Sequence, residues 1–205
     1  MNGVLSVRKV WWHLESVSKL PKSDIKVIIK MKTLIKTERL VLREITFDDK
    51  EDLFELHADP DVQKWTAEPV VESMAEIEKA IETRHNDYRN YGFGRLAVIH
   101  RETGEFIGWA GLTYLPEFDK VDIGYRLKKK YWGMGFATEA SKAIIDYGFN
   151  VLNLDLIIAI AMPGNKASIR IMEKAGMMYD KQAPYDENIQ EAIWYKIDRA
   201  TFYKK

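Results

Sequence analysis

Between Val121 and Ala140 the chain reads VDIGYRLKKKYWGMGFATEA, and the residues of this stretch could do chemistry together. Val121, Ile123, Tyr125 and Leu127 alternate as a half-buried strand does, Gly133 and Gly135 break that pattern, and Phe136 onward resumes at helical spacing. A helix that opens out of a glycine turn aims several unbonded N–H groups, and the positive end of its dipole, at whatever sits above it. Phosphate is the group such a site suits. Lys128, Lys129 and Lys130 lie just upstream and read either as attraction for that phosphate or as a solvated basic turn. Other chemistries find no support. There is no cysteine for a thiolate nucleophile, a disulfide or a thiolate metal site, and the four histidines lack ligand spacing, so no metal is expected.

The elements that would position this turn follow from the rest of the chain. With 205 residues, 46% of them apolar, one well-cored domain is expected. Lys and Arg total 31, as do Asp and Glu, so neither a nucleic acid nor an acidic membrane surface is an expected partner, and no apolar run reaches bilayer length. Residues 1–30 carry six cations against two carboxylates and read as a basic extension of uncertain order; the domain is expected over 31–205, with Met31 an alternative start. Leu34–Ile45 reads as a first strand, with Leu40 and Leu42 on its inner face. Thr46 and Asp49 read as a variant capping box, and Ser73 as the N-cap of a long helix whose apolar face is Met74, Ile77, Ile81 and Tyr88. Gly94–His100 and Glu105–Thr113 form a hairpin around Gly104. After the Phe136–Phe149 helix come an apolar strand over Leu154–Ala161, a helix over Lys166–Ala175 closed by Gly176, two more strands near Met177–Gln182 and Ile189–Ile197, and a last helical turn over Asp198–Tyr203.

The order of these elements, together with TERLVLR, IGYRL, YWGMGFATEA and NKASIRIMEKAGM, resembles the Gcn5-related N-acetyltransferases (GNAT). More narrowly it is similar to the branch containing the ribosomal-protein N-terminal acetyltransferases, over roughly Leu34 to Tyr203. The resemblance implies an α/β (mixed α+β) fold: a mostly antiparallel sheet of six to seven strands, splayed between its fourth and fifth, with about four flanking helices. It implies acetyl-CoA as co-substrate and an amine acceptor, either a protein N-terminus or a small amine, in a cytoplasmic monomer or homodimer.

By the same resemblance the residues take roles. Gly133, Met134, Gly135, Phe136, Ala137 and Thr138 would carry the pyrophosphate, with Gly135 the central glycine and Trp132 where the general pattern has Gln or Arg. The backbone of Tyr125, Arg126 and Leu127 would pair with pantetheine as an added strand does. Asn165 would bond the pantetheine arm; read from its neighbours alone, it caps the helix at Lys166. The tyrosine by which many relatives protonate the departing thiolate is Met172 here, and Ser168 matches the branch's serine instead. Asp122 matches the acidic position of the branch and is the leading candidate base; the competing reading is a fold-stabilising pair with an arginine. Asp186 and Glu187 are weaker alternatives, and Trp65, Tyr114, Phe118 and Tyr185 are candidate lining for the acceptor. At pH 7 an α-amine is about 14% neutral and a lysine about 0.04%, so an α-amine needs far less of a base. A polyamine acceptor, and an acyl-CoA-binding protein without turnover, are the alternatives.

Overall fold

A computed structural model describes residues 33–66 and 68–204. The expectations for residues 1–30 and for a start at Met31 lie outside the described residues. The elements are β1 (Thr33–Lys36), β2 (Leu40–Glu44), α1 (Lys50–Ala58), α2 (Pro60–Gln63), α3 (Met74–Tyr91), β3 (Arg95–His100), β4 (Phe106–Leu115), β5 (Lys120–Leu127), α4 (Phe136–Asn150), β6 (Leu156–Ala161), α5 (Lys166–Lys174), β7 (Met178–Ala183), β8 (Ala192–Asp198) and α6 (Arg199–Phe202). Among the described residues no helix is long and apolar enough to cross a membrane.

The strands form one sheet in the order β1-β2-β3-β4-β5-β6-β8-β7. Every neighbouring pair is antiparallel except β5 and β6, which are parallel and share a single bridged pair, Asp122 with Ile158. Past that pair the two strands diverge toward their C-terminal ends, the expected splay. The sheet has one strand more than the upper expectation because Leu34–Ile45 breaks in two. Thr37 N–H closes a turn onto the Leu40 carbonyl at 2.9 Å, and Glu139 of α4 accepts from the Thr37 hydroxyl and the Arg39 backbone.

Side chains of period two divide the sheet between two layers. Leu40, Leu42, Val98, Leu112, Ile123 and Leu127 pack against Phe136, Ala140, Ile144 and Phe149 of α4 and Met172 of α5. On the opposite face Ala97, Phe106 and Trp109 pack with Leu53 and Leu56 of α1 and Ile77 and Ile81 of α3. The expected inner face of α3 is therefore observed. Its Ser73 precedes the helix, with the hydroxyl 2.6 Å from Glu76. Asp49 accepts from Thr46 N–H at 2.8 Å, the backbone half of a capping box, and is held by both Nη atoms of the buried Arg43 at 2.8 and 2.6 Å.

Candidate active site

Where β5 and β6 part, a cavity of about 480 Å³ opens between them and the starts of α4 and α5. Its floor includes Ile123 to Leu127, one wall is Gly133, Gly135 and Phe136 to Thr138, and the other is Ile160, Ala161, Asn165, Ser168 and Met172. Gly135 is the N-cap of α4 at φ +83°, a left-handed conformation that favours glycine, and no side chain bonds the helix start. The amides of the first turn accordingly face outward without intrahelical partners. Arg39 braces this turn. Its Nε meets Glu139 at 2.7 Å, one Nη donates to the Met134 carbonyl at 3.0 Å, and the guanidinium lies 4.4 Å from the Phe136 ring centre.

The basic triplet is turned to other work. Lys128 is buried between Asp52 and Glu55 of α1, Lys129 bonds Asp61, and Lys130 bonds Glu105 at 3.0 Å. Lys129 and Lys130 are exposed, as a solvated basic turn would be, whereas the burial of Lys128 between two carboxylates was anticipated by neither reading. Trp132 is about half exposed and donates its indole N–H to the Leu127 carbonyl, pinning the end of β5.

Asn165 caps α5 through its side-chain oxygen, which accepts from Ser168 N–H at 3.1 Å, and its amide also lines the cavity. The cap uses only the amide oxygen, so it leaves the NH2 group for the ligand role that the resemblance implies. Replacing Asn165 by aspartate keeps the cap and removes the donor; CoA affinity should fall on the order of tenfold while stability changes little, measurable by calorimetry and melting. Replacement by alanine should add a stability loss of about 1 kcal/mol.

Across the splay from Asn165, the hydroxyl of Tyr125 lies 2.8 Å from Ser168 Oγ and 3.1 Å from the Ser168 carbonyl. Burial raises the Tyr125 pKa above the ordinary phenol value, so its proton stays on. Met172 is buried beneath this pair.

The α1/α3 face of β5 carries Asp122, Gly124 and Arg126. Asp122 is buried at the vertex of the splay, where it takes a 2.8 Å bond from Arg95 and a backbone hydrogen bond from Ile160. Burial raises its pKa against the pull of Arg95. Arg126 bonds Glu68 at 3.0 Å and His57 Nδ1 at 3.0 Å, while the Trp109 indole donates to His57 Nε2 at 3.1 Å. A neutral imidazole accepts at one nitrogen only, and protonation would set N–H against N–H on both sides. Burial first, and Arg126 next, lower the His57 pKa from 6.5 to about 4. Its folded pKa lies below its unfolded one, so its contribution is complete above pH 6.5 and is lost as pH falls toward 4. Melts at pH 7 and pH 5 should differ by about 2 kcal/mol more for wild type than for His57→Gln; parallel losses would contradict this.

Comparison with known proteins identifies the family. Residues 39–178 match the acetyltransferase (GNAT) domain. This chain belongs to the GNAT acetyltransferase family. It is 34% identical to the uncharacterized protein YkkB of Bacillus subtilis over 73% of this chain and 88% of that one. It is 30% identical to the uncharacterized N-acetyltransferase YoaA of the same organism, over 78% and 96%. The crystal structure of a GNAT-family acetyltransferase from Bacillus anthracis superposes with a TM-score of 0.67 at 31% identity, covering 80% of this chain and 97% of that one.

In this GNAT acetyltransferase the cavity gathers Tyr125, Arg126, Leu127, Gly133, Gly135, Phe136, Ala137, Thr138, Asn165 and Ser168. Met134 and Asp122 are not among its lining residues; Met134 is half exposed outside it, and Asp122 sits at the vertex beside it. Trp65 lines the cavity, whereas Phe118 packs on Tyr185 and Trp194, and Tyr114 on Tyr91. Asp186 accepts backbone bonds from Asn188 and Ile189, shaping its own loop. Reading the sequence missed the roles of Arg39, the Tyr125 hydroxyl and the Arg126 guanidinium, and the gathering of His57, Trp109 and Arg95 about that guanidinium. Arg39, Tyr125 and Arg126 left a signal, as polar residues within the TERLVLR and IGYRL motifs.

Proposed function

We propose that the domain over residues 31–205 moves an acetyl group from acetyl-CoA to the α-amine of a protein N-terminus or a small molecule, by direct attack in a ternary complex. The observation that carries this reading is the cavity itself. It joins a strand edge left unpaired past Asp122 to a helix start left uncapped at Gly135, so pantetheine and pyrophosphate each meet free backbone groups. In this reading the amides of Gly133 to Thr138 carry the phosphates, Tyr125 to Leu127 pair with pantetheine, and Asn165 bonds the arm.

The amine attacks from the cleft between β5 and β6, beside the Arg95 guanidinium that covers Gly124, and Asp122, whose pKa burial has raised, takes the proton lost on attack. A backbone N–H of β5 past Asp122 holds the oxyanion. Ser168 gives its hydroxyl proton to the departing thiolate, and Tyr125 donates to Ser168 Oγ as charge develops there. An α-amine fits better than a polyamine because far more of it is neutral at pH 7 and so needs less of a base. The ribosomal-protein branch, a cytoplasmic location and a monomer or homodimer go with this reading.

Thiol release from acetyl-CoA across a panel of peptides, small amines and polyamines tests it. Release with α-amines is expected. Clear CoA binding without release for any acceptor would sink the enzymatic reading in favour of acyl-CoA binding alone.

A further inference from the structure

Two guanidinium groups lie against one indole on the acceptor face: Arg95 and Arg126, at 5.2 and 5.1 Å from the centre of the Trp109 ring. Glycine at position 124 makes this possible, because a Cβ there would come within 2.4 Å of Arg95 Nη1. The guanidinium of Arg95 thus covers β5 between Asp122 and Arg126. Both side chains are nearly buried, 13% and 8% exposed, and a buried guanidinium needs a carboxylate or its equivalent.

The two partners differ. Asp122, paired with Arg95, is buried and tied to β6 through Ile160, so it is not free to leave its arginine. Glu68, paired with Arg126, has a side chain 61% exposed and comes from the irregular segment between α2 and α3. Releasing Glu68 to solvent costs the carboxylate itself little, since it is already mostly hydrated. Leaving Arg126 without any carboxylate costs much more.

We propose that Glu68 holds the place of a carboxylate on the acceptor, and that Arg126, with Arg95 beside it, is an anion subsite. The acceptor is then an α-amine with a carboxylate close by: a free amino acid or an acidic N-terminal residue. This rests on the α-amine reading above and narrows it. Arg126 lines the same cavity as Trp65 and Gly124, so a carboxylate close to the acceptor's amine reaches it from within the cleft. The planar fork of Arg126 suits two parallel bonds to the incoming group. Its hydrogen bond to His57 and its stacking on Trp109 hold that fork in place before the acceptor arrives.

Calorimetry on the CoA-saturated protein tests the subsite without turnover. Two matched pairs serve as probes: a peptide headed by glutamate or by glutamine, and free alanine or alaninamide. The carboxylate member of at least one pair should bind about tenfold more tightly, and the preferred pair identifies which carboxylate is read. Glu68→Gln, an exposed change, should strengthen binding of that member about threefold, and Arg126→Gln should abolish the preference. Equal affinities within both pairs would overturn the proposal. So would tighter binding of spermidine that weakens in Glu68→Gln, which would make Glu68 a ligand for cations. Because CoA without its acetyl group allows no reaction, this outcome is independent of the thiol-release assay.

Discussion

Tyr125→Phe is expected to lower kcat about tenfold while leaving CoA affinity within about twofold. The change removes one oxygen and keeps the ring that packs on the main core. Ser168→Ala should cost more, on the order of a hundredfold in kcat, because it removes the group placed to meet the thiolate. The decisive measurement is the double variant. If the phenol acts through Ser168 Oγ, 2.8 Å away, its loss costs nothing further once Ser168 is alanine. Additive losses would mean that Tyr125 works independently. An unchanged kcat for Tyr125→Phe would leave the hydrogen bond a tie between β5 and α5 and nothing more. In the proposed mechanism the serine carries the proton because Met172 has no donor to offer, and the Tyr125 phenol across the splay would support it through Ser168 Oγ.

The largest effect on stability should come from the Arg43–Asp49 pair. Arg43→Met strands a carboxylate in the interior, where Asp49 is only 3% exposed, and should cost about 3–5 kcal/mol in chemical denaturation. Asp49 would keep its bond from Thr46 N–H, but a neutral amide does not replace a bidentate guanidinium. Replacing both partners with apolar residues should restore much of the loss, because the penalty lies in the unpaired charge. A cost below about 1 kcal/mol for Arg43→Met would show that water reaches Asp49 on its own.

Much of this architecture was legible in the chain because local rules agreed with one another. Gly133 and Gly135 fell where strand period turned to helical period, and the apolar face of α3 followed from spacing alone. The TERLVLR segment misled where a distant residue intervened. Its alternation continues through Thr37 and Arg39, yet Glu139, a hundred positions away, takes the Arg39 amide and the Thr37 hydroxyl and bends the strand into two. Lys128 misled for the same reason, since the two carboxylates that bury it come from α1. Of the acceptor face, Trp65 was legible and the rest was hidden. Its arginines, histidine and tryptophan sit on α1, β3, β4 and β5, and no spacing within any of those elements marks them as neighbours.

The single bridged pair between β5 and β6 makes the sheet two half-sheets meeting at Asp122 and Ile158. A donor that lies in the gap as an extra strand would act as a keystone. Amides along Ile123 to Leu127 that exchange with solvent in the empty protein should become protected when it binds. The melting temperature should then climb with the logarithm of donor concentration, by about 2.7 kcal/mol of added stability at a hundred times Kd. The abundance of such a protein in a cell would follow the supply of its own substrate, with no regulator beyond the missing strand.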